Sequence, residues 1–557
     1  MKKNITILTL ILSMQIGYSQ SFNGFALYNK AGDQTTYLID ENKNIAHTWN
    51  IATECNYTVL LKKNGNLIRG TKNTSNSVFS NGNMAAQAGR VQEIDPQGNV
   101  VWDYVYSSVD HCSHHDLTLI GNNVLITAWE KKSASELSAA GYNNANSEKW
   151  PTHFVELAPD GNGSANIVWE WHLWDHIIQD TDPNKPNYGV IKDNPQLINI
   201  NMISGGGGGG DWFHVNGVHY NEDLDQIAFS SRHASEIFII DHSTTTAEAA
   251  SHLGGNSNMG GDILYRWGKP SNYDMSGSQV IPSAVHDVRW ITNDGRPNGG
   301  FLQVFNNSGG GNGQSTIDGI ETPWDPNTKT YLRNQNQPFS PSSYSTRYIC
   351  AYSASGQSAS NRMSNGNIFI NASGGQGGAG RMYEVDSTGN IIWGPYNADS
   401  HKGFRYECDY PGIIALEPYM INTSSTSCFP AVIPSWDCIE AICQDPGNSS
   451  GAYSSVADCN ASCTLSDDDL NIRDQIAIYP NPFKDIIKIE FETINNEDAE
   501  INVINSFGQN VFNKIINNLA GNFSTEVDFS SLSEGLYFIN LSTITGLSYT
   551  KRVVHIK

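Results

Sequence analysis

Three histidines each stand seven residues ahead of an asparagine: His115-Asp116-Leu-Thr-Leu-Ile-Gly-Asn122, His214-Val-Asn216-Gly-Val-His-Tyr-Asn221 and His286-Asp287-Val-Arg-Trp-Ile-Thr-Asn293. Imidazole is largely unprotonated near neutral pH and still exchanges protons there, so it serves as nucleophile, general base or general acid. Eighteen residues after His214, the segment Phe229-Ser-Ser231-Arg232-His233 supplies a guanidinium, whose planar fork binds tetrahedral oxyanions through two bonds at once. Gathered at one place, three imidazoles and a guanidinium would capture an anion beside a nucleophile. Tyr57 and Ser358 occupy the same register, seven residues before Asn64 and Asn365. Tyr57 would offer an aromatic face to a bound ring, and Ser358 a hydroxyl, although plain packing explains Ser358 as well. His172 and His176 have a helical metal spacing, but their segment reads as β, so no zinc and no other metal is expected there.

The elements that must hold these residues are repeats. Glu93-Ile-Asp95-Pro-Gln-Gly98-Asn-Val-Val-Trp102 returns as Glu384-Val-Asp386-Ser-Thr-Gly389-Asn-Ile-Ile-Trp393, with weaker copies ending at Trp49, Trp169 and Trp267. A second phrase, Asn64-Gly, Gly121-Asn122 or Asn365-Gly between alternating hydrophobic residues, marks tight hairpin turns. Repetition at tens of residues, all β, with a Trp closing each unit, predicts a β-propeller over residues 22–430. Five closing phrases and a blade shared between first and last strands predict six blades. In a propeller the strand before such a turn is the innermost of its blade and lines the channel. Equal offsets therefore put His115, His214 and His286 at one height on three blades, and the returning hairpin brings Arg232 to the same rim. The glycine runs 205–210 and Gly309–Gly311 sit in long connections and are expected as lids beside the site.

The 557 residues exceed one compact domain, and 39% hydrophobic content with 13 Trp excludes a disordered chain. A net charge of -23 argues against nucleic acid or an anionic membrane as a partner. Residues 1–20, with Lys2, Lys3 and an apolar run to Leu12, read as a secretory signal peptide cut after Ser19 or Gln20. No later stretch is long and apolar enough to span a membrane, so a soluble mature chain is expected. Four of the nine cysteines crowd into residues 436–465 as Cys438, Cys443, Cys459 and Cys463, and two disulfides are expected to staple this small module. Cys55, Cys112, Cys350, Cys408 and Cys428 are then odd in number, leaving at least one thiol free. Residues 476–557 alternate with period two and predict a small β-sandwich.

Two resemblances follow from these phrases. Tyr479-Pro480-Asn481-Pro482-Phe483 and Glu534-Gly-Leu-Tyr-Phe resemble the C-terminal sorting domain of the type IX secretion system of Bacteroidetes. That implies the type IX machinery as a partner, export through the periplasm, and a tail cleaved for release or used for surface attachment. Asp211-Trp-Phe-His214-Val-Asn216, Ser230-Ser-Arg232-His233, His114-His115-Asp116 and Val285-His286-Asp287-Val-Arg289 resemble the bacterial arylsulfate sulfotransferase family over most of residues 22–430. The resemblance implies a six-bladed propeller that moves a sulfuryl group from a phenolic sulfate ester to a phenol without a nucleotide sulfate donor. It implies His286 as the transiently sulfated nucleophile, and His115, His214, Asn216 and Arg232 around the transferred group. His114 takes the place of His115 if the paired motif is aligned one residue out. No cofactor and no metal is implied. The first blade begins at Phe25-Ala-Leu-Tyr28, leaving no room for the extra N-terminal β-domain of some members. Two other functions suit the same residues: a non-catalytic propeller that binds sulfated or acidic glycans, and a sulfatase that passes the group to water.

Overall fold

The computed structural model describes residues 21–556 apart from 31, 74, 80–85, 204–209, 278, 280–283, 376–377, 422, 424–425, 430–434, 440–441, 447–449, 464–475, 507 and 544–547. The expected signal peptide and nearly all of the 205–210 glycine run lie outside the described residues. The chain divides into units of residues 1–430 and 431–557.

Short strands with β-branched and aromatic residues, broken by Asn, Asp and Gly, fold the first unit into antiparallel four-stranded sheets, six among the described residues. The second is Cys55–Leu61, Leu67–Lys72, Gly89–Ile94 and Val100–Val105, and the third is His111–Ile120, Asn123–Glu130, Thr152–Pro159 and Ala165–His172. The fourth begins at Val215–Asn221, the fifth at His286–Trp290 and the sixth at Ala359–Arg362. The first sheet joins Gly24–Lys30, Thr35–Ile39 and Ile45–Asn50 to the late strand Ser400–Glu407, with Ala26 opposite Arg405. Leading strands of successive sheets pack against one another, and Ala359–Arg362 packs on Ser400–Glu407, so the series closes into a ring.

The repeated tryptophan closes the gap between sheets. Trp49 Nε1 donates to the Asp95 carbonyl of the second sheet at 3.0 Å, and Trp102 of the second to Ser164 O beside the third at 2.9 Å. Trp169 of the third sheet reaches Thr244 Oγ1 at 3.1 Å, Trp267 reaches Pro341 O at 2.7 Å, and Trp393 of the sixth returns to Glu41 O of the first at 2.6 Å. All five rings are buried. An indole carries a large apolar body and one donor, so it fills the wedge between sheets and satisfies an oxygen acceptor beyond its own sheet, a carbonyl in four cases and the Thr244 hydroxyl in the fifth. Gly309–Gly311, expected as a lid, closes the hairpin between Leu302–Asn306 and Thr316–Ile320, where Gly310 N bonds Gln314 O at 2.9 Å. A run of small residues served there as a turn.

Cys408 pairs with Cys428, and Cys55, Cys112 and Cys350 are buried free thiols. In the second unit, Cys438–Cys463 and Cys443–Cys459 join the hairpin Asp437–Ile439 and Ile442–Gln444 to the helix Val456–Ser462. Five further strands, from Ala477–Tyr479 to Ser548–His555, bury Ile487, Ile489, Phe491, Ile501, Val503 and Ile539 in one core. Among the described residues no helix is long and apolar enough to cross a membrane.

Candidate active site

The histidine phrases begin where the leading strands bulge. Pairing shifts between Ser113 and Leu117, between Val215 and Gly217, and between His286 and Arg289. His115 (φ 48°), His214 (φ 54°) and Asp287 (φ 52°) adopt left-handed backbone there, as does Ser358 (φ 90°) just before Ala359–Arg362. Such residues cost about 1–3 kcal/mol each, so the surrounding bonds must hold them, and a bulge re-aims a side chain that a regular strand would send elsewhere. Gly217 lets the fourth and fifth sheets approach closely, since a Cβ there would lie 2.8 Å from the Asp287 Cα.

Two of the predicted histidines meet directly: His115 Nε2 and His214 Nε2 are 3.2 Å apart. Two ring nitrogens at that distance share one proton, one donating and the other accepting. The far side of His214 is anchored, because its Nδ1–H donates to Asp211 Oδ2, while Asp211 Oδ1 accepts the Trp129 indole N–H at 3.0 Å. Burial alone would raise the Asp211 carboxyl, but the adjacent His214 ring holds it down at about 2. His114 lies behind His115, their Nδ1 atoms 2.7 Å apart, and stacks on Trp129 at 4.1 Å between centroids. Burial pushes His114 down to about 3 and His115 well below an ordinary imidazole. His233 flanks His214 at 4.7 Å.

His286 is wholly buried and its tautomer is set by its partners. Its Nδ1 lies 2.7 Å from both Ala284 O and Asn307 Oδ1. Asn307 gives its amide N–H groups to Ala354 O and Gln357 O, at 2.8 and 3.2 Å, which turns its oxygen toward the ring. Both neighbours of Nδ1 accept, so Nδ1 carries the hydrogen and Nε2 the lone pair. That Nε2 is buried and has no hydrogen-bond partner among the described residues. Burial, and then the Arg232 charge, keep the ring's pKa well below its ordinary value. The backbone N of Arg232 bonds His214 O at 3.1 Å, as the returning hairpin requires, and its Nη1 donates to Ser355 O at 3.3 Å. Among the described residues no carboxylate lies within salt-bridge distance of Arg232, so its charge faces the histidines uncompensated.

The remaining expected residues are placed less directly. Asn216 donates one amide N–H to Val285 O at 2.7 Å and accepts from Ser230 Oγ at 2.7 Å, so it braces the strand that carries His286. Tyr57 packs edge-on against His401 at 4.2 Å and lies 5.7 Å from His115. The Ser358 hydroxyl accepts from Ser373 N at 3.0 Å and donates to Gly356 O at 3.4 Å, binding backbone rather than any histidine. His172 pairs with Glu130 and His176 with Asp262, so the two share no ligand.

Sequence spacing missed Asn307, Asp211 and the support beneath the histidines. Lys402 Nζ, fully buried, lies 2.8 Å from Asp116 Oδ2, 3.3 Å from Asp287 Oδ1 and 3.0 Å from Asn216 O. Asp116 also accepts from Thr58 Oγ1 at 2.5 Å and Val218 N at 2.9 Å, and Asp287 from Ser360 N at 3.1 Å. One ion cluster thus joins the leading strands of all six sheets. Asp287, next to His286, does not orient that ring, because its carboxylate is taken by Lys402, Arg289 and Ser360 N while His286 Nδ1 faces Ala284 O and Asn307. Only Asp211, three residues before His214 in a phrase already notable, had a local signal.

Fold and site together define the class: an all-β protein of propeller type with a buried imidazole cluster beside a guanidinium. The chain belongs to the arylsulfotransferase (ASST) family, whose model matches residues 10–322, a span that holds every histidine and Arg232 of the cluster. The secretion system C-terminal sorting domain matches residues 477–557, which marks the chain for export by the type IX route to the cell surface or medium. No curated protein matches it. Among solved structures, Kuenenia stuttgartiensis hydrazine synthase is 13% identical over 53% of this chain and 67% of its own, at a TM-score of 0.30. Citrobacter koseri AztD is 8% identical over 91% and 98%, at 0.26, and the Dos1 propeller 9% identical over 68% and 88%, at 0.29. Likeness that weak carries nothing about chemistry.

Proposed function

We propose that the protein transfers a sulfuryl group from a phenolic sulfate ester to a phenol through a sulfo-His286 intermediate. The ring of sheets, residues 22–430, is read as a six-bladed catalytic propeller behind a signal peptide at 1–20. A disulfide module at 436–465 then leads to a sorting β-sandwich at 476–557. The observation that carries this reading is the buried His286 Nε2 lone pair, which among the described residues has no partner and feels the charge of an Arg232 that no carboxylate there pairs.

An aryl sulfate brings one negative charge and a good leaving group, so it needs a neutral nucleophile and a cationic cradle. His286 Nε2 attacks sulfur, the sulfur–oxygen bond to the aryl group breaks, and the aryl oxygen leaves as phenoxide, its negative charge met by the N–H that the His115–His214 pair presents. The sulfonated ring is formally cationic, and its Nδ1–H holds that charge against Asn307 Oδ1 and Ala284 O. Arg232 binds the sulfonate oxygens; one such donor is worth about 3–4 kcal/mol by analogy with oxyanion holes. An incoming phenol attacks sulfur while its proton passes through the histidine pair to water, and the sulfur–nitrogen bond electrons return to Nε2. Each cycle therefore ends with the starting tautomers. Tyr57, packed near His115, is the aromatic surface available to the aryl ring.

p-Nitrophenyl sulfate with and without added phenol tests the reading. Nitrophenol release that depends on phenol supports transfer, release without phenol indicates hydrolysis, and no release leaves a binding propeller. His286→Ala is expected to stop turnover while the far-UV spectrum stays unchanged. The mass of a quenched reaction should show one sulfuryl adduct on the His286 peptide, and an adduct elsewhere refutes the nucleophile.

A further inference from the structure

Away from the channel, His176, His252 and Asp262 bring three donor atoms together. Both Nδ1 atoms approach one oxygen, Asp262 Oδ1, at 2.8 Å from His176 and 2.7 Å from His252, and all three atoms lie within 4.8 Å of one another. His176 is fully buried in the short 3-10 turn Leu173–His176, and its Nε2 lies 2.8 Å from the Ala249 carbonyl oxygen. A carbonyl oxygen only accepts, so Nε2 carries a hydrogen. Nδ1 of the same ring then faces a carboxylate oxygen, another acceptor. Something positive must stand between them, either a second proton or a metal ion.

We propose that these residues bind one divalent transition-metal ion of the zinc class through His176 Nδ1, His252 Nδ1 and Asp262 Oδ1. Two imidazoles and a carboxylate form a donor set suited to zinc, whereas magnesium and calcium prefer oxygen alone. The bond from His176 Nε2–H to Ala249 O is the outer contact that orients a ligating imidazole. His252, with its side chain 58% exposed, borders a cavity of about 440 Å³ with Trp174 and Tyr188, from which water completes the coordination. Zinc bonds of about 2.0–2.1 Å separate tetrahedral neighbours by about 3.3 Å, so the three atoms spread by roughly half an ångström on binding. The exposed His252 takes up that movement. His176 follows the third sheet, while His252 and Asp262 lie in the connection before Tyr265–Trp267 of the fourth, so the ion ties two neighbouring sheets together.

The test uses the full chain, stripped with a chelator and titrated with Zn²⁺ alone by calorimetry, beside His252→Ala and Asp262→Asn. Because the channel histidines also offer nitrogen, the reading is the difference between chains. The native protein should bind one zinc more per chain than either variant, or bind it at least about tenfold more tightly. Zinc should raise the melting temperature of the native chain more than that of His252→Ala, and Co²⁺ should give the native chain a visible ligand-field band stronger than the variant's. Equal stoichiometry, affinity and melting response in native and variant chains overturn the site and leave a protonated His176 paired with Asp262. Sulfuryl transfer is a separate readout, so failure here does not bear on the channel.

Discussion

Each imidazole in the channel has its state decided by one or two atoms. In the proposed scheme His286 serves as nucleophile because Asn307 Oδ1 and Ala284 O take its Nδ1–H, while Asp211 holds the Nδ1–H of His214. Asp211 touches no reacting atom in this scheme, so it is a positioning residue. Asp211→Asn keeps the shape but lets the amide nitrogen face His214, which favours the wrong tautomer. The expected result is kcat lower by about 10²-fold or more with KM little changed, and a shifted pH profile. A change confined to KM would mean that Asp211 serves binding instead. His286 responds differently to acid: its low pKa keeps the lone pair free well below pH 6.5, so its protonation should not produce the acid limb of the rate profile.

Among the elements, leading-strand bulges and closing tryptophans do separate work. The bulges turn His115, His214 and His286 inward, and the indoles hold neighbouring sheets at the spacing that lets His115 and His214 meet. Trp102→Phe keeps most of the buried ring but leaves the Ser164 carbonyl without its donor, a loss of about 1–2 kcal/mol. Trp102→Ala also opens a cavity and should lose about 3–5 kcal/mol. Urea unfolding of the two variants checks both values, and equal losses would show that the hydrogen bond, not the packing, closes the sheets. The closing phrases were legible because a turn and its Trp lie within ten residues of each other. Their hydrogen-bond partners were not, since each lies in another sheet.

For the whole molecule, buried histidines shape stability against pH. Burial holds His114 and His219 at about 3, His401 at about 4, and His115, His153 and His286 far down as well. In the unfolded chain these rings take up protons near pH 6.5, so below that pH the unfolded state binds more protons than the folded one. Their contribution is complete above pH 6.5 and falls toward the folded values by up to about 1.4 kcal/mol per ring per pH unit. His242 has the opposite sign: burial would lower it, but Asp225 and Glu156 hold it at about 9, so its contribution is complete below pH 6.5 and lost by pH 9. The melting temperature should therefore drop steeply from pH 7 to 5 and only gently from 7 to 9, and a flat acid side contradicts the burial of these rings. Exported chains meet oxidising conditions, and the thiols divide accordingly. Burial pushes Cys55 and Cys350 up to about 12 and Cys112 to about 11. Alkylation followed by mass spectrometry should label none of them in the native protein and these three in denaturant, with six more after reduction.

From the sequence alone came the repeat, the sorting tail, the paired cysteines of the small module and the common register of the histidines. All are local patterns, set by strand period, turn residues and spacing along one stretch of chain. Tertiary structure alone decided that Lys402, on the strand that closes the ring, would bind Asp116 and Asp287, and that Asn307 would orient His286. It also placed Ser358 against backbone and joined His176 to His252 and Asp262 rather than to His172. Those contacts depend on which sheets become neighbours and how far each bulge rotates a side chain. Neither quantity is carried by residue spacing, because it exists only once the last strand has paired with the first.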